Sequence, residues 1–259
     1  MKLRELYEKL EKILPSILIE GIDSDGIHLM PDPDREVKRV LVALDPYEKA
    51  VKAAIDGNYD LLLTHHPLFW GEPVSDTPPE NWYNRLNDAG ISCFSFHIRL
   101  DLAKGGVNDI LADIVGILNV IPFDEPEIPA LGRIGDLPKS MTEVELATHV
   151  KQVLGADIVR YTLLPDGRKI KRVAVLGGSA SDAISAAAAA GADAIIGGEF
   201  KHHTYGYAEL ENNGRGIAII EAGHYHTEAP VCRRLSELVS EMIPDAIIDI
   251  LPCNNTLVI

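Results

Sequence analysis

Residues Leu61-Leu62-Leu63-Thr64-His65-His66-Pro67 form an apolar run that delivers two adjacent histidines and then stops at a proline. The run has the length and branching of a fully buried strand. Its polar residues arrive only at the carboxyl end, where open α/β sheets place their ligands. Pro67 cannot donate to a sheet ladder, so the strand is expected to end there. Successive strand side chains point to opposite faces. Both imidazoles therefore reach one site only if the backbone leaves the regular pleat at Thr64-His65-His66.

The surrounding pattern alternates in the same way. Apolar residues at 3, 6, 10, 13 and 14 predict an amphipathic first helix, not a signal peptide, and Gly21 to Gly26 a turn-rich stretch. Val40 to Leu44 reads as a strand, Tyr47 to Ile55 as a helix, and Gly71 to Glu80 as a Pro-rich loop. Trp82 to Asn87 follows as a helix and Ile91 to Phe96 as a third strand ending in His97-Ile98-Arg99-Leu100-Asp101. Gly105-Gly106 opens a further helix. Pro122 to Pro129, with three prolines and three acids, reads as a boundary, which sets the expected units at 1–125 and 126–259. In the second, Arg172 to Leu176 is a strand, Gly177 to Ser181 a turn, Asp182 to Ala190 a helix, and Ala194-Ile195-Ile196 and Ile217 to Ile220 strands. Gly223-His224-Tyr225-His226-Thr227-Glu228 precedes a helix from about Ala229. The last strand, near Ile247 to Leu251, is one that can return to the first unit.

Chain-wide properties bound what such units can do. With 259 residues, about three quarters of the unfolded surface is buried on folding, enough for a core without staples. Cys93, Cys232 and Cys253 are odd in number and form no Cys-x-x-Cys pair, which points to reduced thiols in a cytoplasmic protein. The most apolar later stretch, Ala183 to Ala192, is about half a membrane span. A formal charge of −15 argues against nucleic acid and anionic membrane surfaces as partners.

The two halves read as copies of one pattern. Arg39 lies 23 residues before Leu62, and Arg172 lies 23 before Ile195 (62 − 39; 195 − 172). The first copy ends in His97-x-x-x-Asp101 and the second in His224-x-x-x-Glu228, so each delivers an imidazole and a carboxylate. The expected fold is thus α/β, with two similar units packed around an interdomain dinuclear metal site. His65, His66, Asp101, His224 and Glu228 make an all-nitrogen-and-oxygen ligand set larger than one tetrahedral zinc requires. Two divalent ions about 3.5 to 4 Å apart suit it better, and such a pair activates water and clamps a leaving group. Without thiolates, Zn, Fe, Mn and Co are all compatible. His28 and His149, on polar stretches apart from these motifs, read as structural. Glu199, His202 and His203 follow the strand that matches Leu61–Leu63, so they are expected to border the same cleft. Gly177 to Ser181 lacks the spacing of a P-loop or dinucleotide site and favours a tight turn over a phosphate cradle.

Several blocks closely resemble the signatures of the Nif-three-like family. They are Thr64 to Phe69, His97-x-x-x-Asp101 with Gly105-Gly106-Val107-Asn108, Gly132 to Gly135, Val175 to Ser179, Gly197 to His203, and Gly223-His224-Tyr225-x-x-Glu228. They occur in the family's order over nearly the whole chain, and members carry the name GTP cyclohydrolase I type 2 homolog. The resemblance implies two similar α/β domains, a dinuclear site bound by His65, His66, Asp101, His224 and Glu228, and ring-shaped homohexamers. Longer relatives carry an extra middle domain that this chain is expected to lack. The expected function is metal-dependent hydrolysis of a small molecule, such as a nucleotide or phosphorylated compound. His97 or His203 then handles protons, and Glu199, Gly178 and Ser179 face the substrate. The alternative is a metal-binding oligomeric scaffold or regulator without turnover.

Overall fold

The computed structural model describes residues 1–16, 24–71, 77–126 and 128–254. Parts of the expected turn at 21–26, of the loop at 71–80 and of the boundary stretch at 122–129 lie outside them. Eleven strands occur among the described residues: β1 (Gly26–Leu29), β2 (Arg39–Ala43), β3 (Leu61–Thr64), β4 (Ser92–Ser95), β5 (Leu118–Phe123), β6 (Gly132–Met141), β7 (Arg160–Tyr161), β8 (Ile170–Ser179), β9 (Ala194–Glu199), β10 (Ala218–Glu221) and β11 (Ile247–Ile250). The chain forms two α/β units, one of Met1–Ala103 with the segment that begins at Val231, the other of Lys104–Pro230. No helix among the described residues is long and apolar enough to cross a membrane.

The first unit holds a five-stranded sheet in the order β1-β4-β3-β2-β11. β11, β2, β3 and β4 run parallel and β1 closes the edge antiparallel to β4. Every residue of β3 is buried, as its unbroken apolar run demands of a central parallel strand. One face packs Leu41, Leu62 and Cys93 against Ala50, Val51 and Ala54 of helix Glu48–Asp56 and Leu86 of helix Pro78–Asp88. The latter helix starts earlier than the apolar pattern alone suggests, because Pro78 fits the first helical turn, where its missing N–H costs nothing. Helix Leu3–Ile13 buries Leu3, Leu6 and Leu10 of the expected stripe, and Leu14 after it, while Ile13 is exposed.

The second unit holds a six-stranded sheet in the order β5-β6-β8-β9-β10-β7. β8, β9 and β10 are parallel, and β5, β6 and β7 add antiparallel edges. The Pro-rich stretch expected as a boundary ends β5 and leads into β6, so it joins two paired strands of this unit, and the division falls at Lys104 instead of after residue 125. Helix Val107–Val115, with Gly106 as its N-cap, packs Leu111 and Ala112 into a core with Val173, Val175, Ile196 and Ile220.

The two units repeat each other down to individual hydrogen bonds. Val40 pairs with Leu61 and Val173 with Ala194, each across 21 residues (61 − 40; 194 − 173). Asp60, just before β3, accepts from the backbone N–H groups of Lys38 and Arg39 and from Arg35 Nε. Asp193, just before β9, accepts from Lys171 N–H, Arg172 N–H and Arg168 Nε. In both, a carboxylate ties the start of one parallel strand to the strand beside it.

Candidate metal centre

β3 ends at Thr64, three residues before Pro67, and the chain leaves the pleat where two same-site imidazoles require it. Thr64 Oγ1 donates to the carbonyl of His66 at 2.7 Å, closing the bend. The ring centroids of His65 and His66 are then 4.9 Å apart, and both side chains are buried. His97, at the end of the segment that follows β4, joins them: its ring lies 5.2 Å from His65 and 5.7 Å from His66. Each of the three offers a ring nitrogen within 4.8 Å of the others, so His65, His66 and His97 form a group able to hold a metal ion.

Hydrogen bonds at Nδ1 decide which nitrogen can ligate. His65 Nδ1 lies 2.9 Å from the carbonyl oxygen of Phe96, and His66 Nδ1 lies 2.7 Å from Asp45 Oδ1. A carbonyl or carboxylate oxygen only accepts, so Nδ1 carries the proton in the neutral ring and Nε2 keeps the lone pair a metal needs. His65 Nε2 faces Asp101 Oδ1 at 3.5 Å. Bonds of about 2.0–2.1 Å in a tetrahedron place neighbouring donors about 3.3 Å apart. The spacing and chemistry of this donor set therefore fit a divalent ion.

Asp101 sits on the short helix Ile98–Leu102, whose placement rests on Arg99. The buried guanidinium engages both oxygens of Asp25, Glu11 at 2.6 Å and the carbonyl of Leu14 at 2.9 Å. Asp25 also accepts from the backbone N–H of His97 at 3.0 Å. Burial works against the charge of Arg99, but its hydrogen bonds to Asp25 and Glu11 outweigh it and raise the pKa above its ordinary value. The segment carrying His97 and Asp101 is thus pinned by a fixed cation.

In the second unit His224 opens helix His224–Glu228, with Gly223 as its N-cap at φ +90°. His224 Nε2 lies 3.0 Å from Glu228 Oε2 on the next turn, and its Nδ1 lies 3.4 Å from Glu199 Oε1. The helix frames of the two copies differ by one residue. His97 is the cap of its helix, whereas His224 is the first residue of its own. Space for the second pair is made by glycine. A Cβ on Gly178, at φ +63°, would stand 2.1 Å from Glu228 Oε1 and 2.9 Å from His224 Nε2.

The remaining sequence candidates fall out unevenly. Gly177 to Ser179 end β8 and are not a turn, because Ser179 still pairs with Glu199. The N–H of Gly177 donates to Asn108 Oδ1 and that of Gly178 to Thr227 Oγ1, so those donors are committed within the fold. His203 is exposed at the start of helix Thr204–Ala208, 5.6 Å from the ring of Tyr207. His28 and His149 have structural partners, Ser95 Oγ and the carbonyl of Val115, each at 2.8 Å. Sequence reasoning missed Asp45, Arg99 and Asp25. Asp45-Pro46 marked a strand end, and a carboxylate at the carboxyl end of a parallel strand was the available signal.

Comparison with known proteins identifies the family and the fold. Residues 1–255 match the family model Duf34/NIF3 (NGG1p interacting factor 3). A GTP cyclohydrolase 1 type 2 homolog of Clostridium perfringens strain 13 is 34% identical over 251 residues, 94% of this chain and 93% of the relative. A Bacillus cereus protein related to NIF3 superposes with a TM-score of 0.85 at 21% identity, covering 100% of this chain and 99% of that one. Staphylococcus aureus protein SA1388 gives 0.85 at 22% identity, covering 98% and 97%. These structures share the fold of two similar α/β units.

Proposed function

The chain belongs to the Duf34/NIF3 family, and from that membership we propose that it is a metal-dependent hydrolase whose His65, His66, Asp101, His224 and Glu228 hold two divalent ions, Zn, Fe, Mn or Co. The observation that carries the reading is the tautomer lock on His65 and His66, which presents two Nε2 lone pairs from one buried bend. A pair of ions held there would supply an activated water and a clamp for the attacked oxygen and the leaving group.

The chain's own residues divide the remaining work. His97 lies beside both ligands with its backbone fixed by Asp25, and serves as the group that takes or returns a proton. Glu199 orients His224 from Nδ1 and, being exposed, also faces substrate; His203 is the second candidate proton carrier. Gly178 gives room to Glu228, and Ser179 stands beside it at the strand end. The name GTP cyclohydrolase 1 type 2 homolog, carried by the Clostridium perfringens relative, makes nucleotides the first substrates to try, with phosphorylated small molecules next. Its compartment is the cytoplasm, where three thiols stay reduced.

Elemental analysis after gentle purification is expected to give close to two ions per chain, and Asp101→Ala with Glu228→Ala to abolish binding. The metal-loaded protein is then screened for turnover of nucleotides, phosphoesters and cyclic amides, with His66→Ala as the inactive control. A stoichiometry that never exceeds one defeats the dinuclear reading. Two ions without turnover leave a metal-binding scaffold or regulator. The resemblance to the family carries a homohexameric ring, which light scattering tests; a stable monomer at micromolar concentration removes it.

A further inference from the structure

Trp70 is 58% exposed although it follows Leu68 and Phe69, both buried. Phe69 goes into the core, where its ring lies 5.8 Å from Tyr83. The indole of Trp70 instead stands 5.0 Å from the ring of His97, edge to face at 84°, and 6.3 Å from that of His66. The chain turns immediately afterwards at Gly71, at φ +76°, and the Gly71 N–H donates to Ser24 Oγ at 2.8 Å. The indole is thus held beside two histidines of the candidate centre with most of its surface in water. The other tryptophan behaves differently. Trp82 rests 5.4 Å from Tyr47 and donates through Nε1 to Glu48.

We propose that Trp70 is the stacking wall of the substrate site and takes a planar heteroaromatic ring such as a nucleobase. An indole offers a large π-face at low conformational cost, and stacking tolerates any fused ring system. Placed beside His97, it would hold such a ring next to the ions while leaving the ring's polar edges to other groups. The inference rests on the hydrolase reading for its place in the reaction, but ring binding is measurable without turnover.

Trp82→Phe makes Trp70 the only indole of the full-length protein. With this variant, adenosine and guanosine 5′-monophosphates are expected to quench Trp70 emission, and ribose 5-phosphate to leave it unchanged. In equilibrium dialysis Trp70→Ala is expected to weaken nucleotide binding by about tenfold or more, Trp70→Phe to retain most of it, and both to keep wild-type metal content. The proposal fails if ribose 5-phosphate binds as tightly as the nucleotides or if Trp70→Ala binds them normally. It fails equally if Trp70 emission responds to dilution and not to nucleotide, because a second copy of the chain is then what covers the indole. A protein that takes up no metal yet shows nucleotide quenching keeps the stacking wall and loses the hydrolase reading.

Discussion

Asp45 Oδ1 lies 2.7 Å from His66 Nδ1, joining the carboxyl end of β2 to the bend after β3 across 21 residues of sequence. Parallel pairing of Ala43 with Thr64 brings the two ends together. The carboxylate fixes the imidazole tautomer and raises its basicity at Nε2. Asp45→Asn substitutes a group that can also donate, so Nε2 can become the protonated nitrogen and lose its lone pair. Metal affinity, measured by competition with a chromogenic chelator, is expected to fall about 10- to 100-fold. Unchanged affinity would remove Asp45 from the centre.

Gly178 makes a second prediction. Its backbone is left-handed, and a Cβ there would run into Glu228 Oε1 and His224 Nε2. Gly178→Ala should cost at least about 1 kcal/mol from the backbone alone. It should also displace both side chains, so metal content is expected to drop further than global stability does. Urea denaturation and elemental analysis of one preparation separate the two effects. A stable variant with full metal content would show that His224 and Glu228 need no such space.

The sequence made some of these relations legible and hid others for physical reasons. β3 was readable because a strand buried on both faces must be continuously apolar, and Leu61-Leu62-Leu63 has no competing period. The internal repeat was readable because β2–β3 and β8–β9 keep the same register. β6 was not. Gly132, Gly135 and Pro138 give it poor strand propensity, yet the sheet needs glycine at 135 because a Cβ there would meet the carbonyl of Leu118 at 2.4 Å. Helix Glu143–Leu154 went unread despite a plain signal, the capping box in which Thr142 and Glu145 satisfy each other's backbone N–H groups. Asp45 and Arg99 could not be found from spacing, since their partners are brought near only by tertiary pairing.

Tyr205 provides a pH prediction. Burial and a hydrogen bond to the buried Glu221, where Arg160 also binds, push its phenol up to about 12. An acid whose pKa is higher folded than unfolded favours the folded state while it stays protonated. That contribution is complete below the unfolded value of about 10 and is lost as pH rises towards about 12. Tyr205→Phe should therefore be less stable than wild type at pH 8, and the gap should narrow between pH 10 and 12. Tyr7, Tyr47 and Tyr59 are also raised, so the difference between the two proteins is the quantity to follow, not the wild-type slope. A gap that stays constant over that range would show that Glu221 does not hold the phenol.

Asp60 and Asp193 test whether the internal repeat has energetic meaning. Each accepts from two successive backbone N–H groups and from an arginine Nε, and each stands one residue before a central parallel strand. Removing either carboxylate leaves two backbone N–H groups and an arginine to find new partners, and donors that stay buried unpaired cost roughly 1–3 kcal/mol each. Solvent reaches part of Arg35 and Arg168, so the total should stay below the simple sum. Asp60→Ala and Asp193→Ala are each expected to lose about 2–4 kcal/mol in urea denaturation. The isosteric Asn variants should recover part of this, because an amide oxygen still accepts one N–H. If one aspartate matters and its counterpart costs nothing, the two units share a hydrogen-bond pattern without sharing what stabilises it.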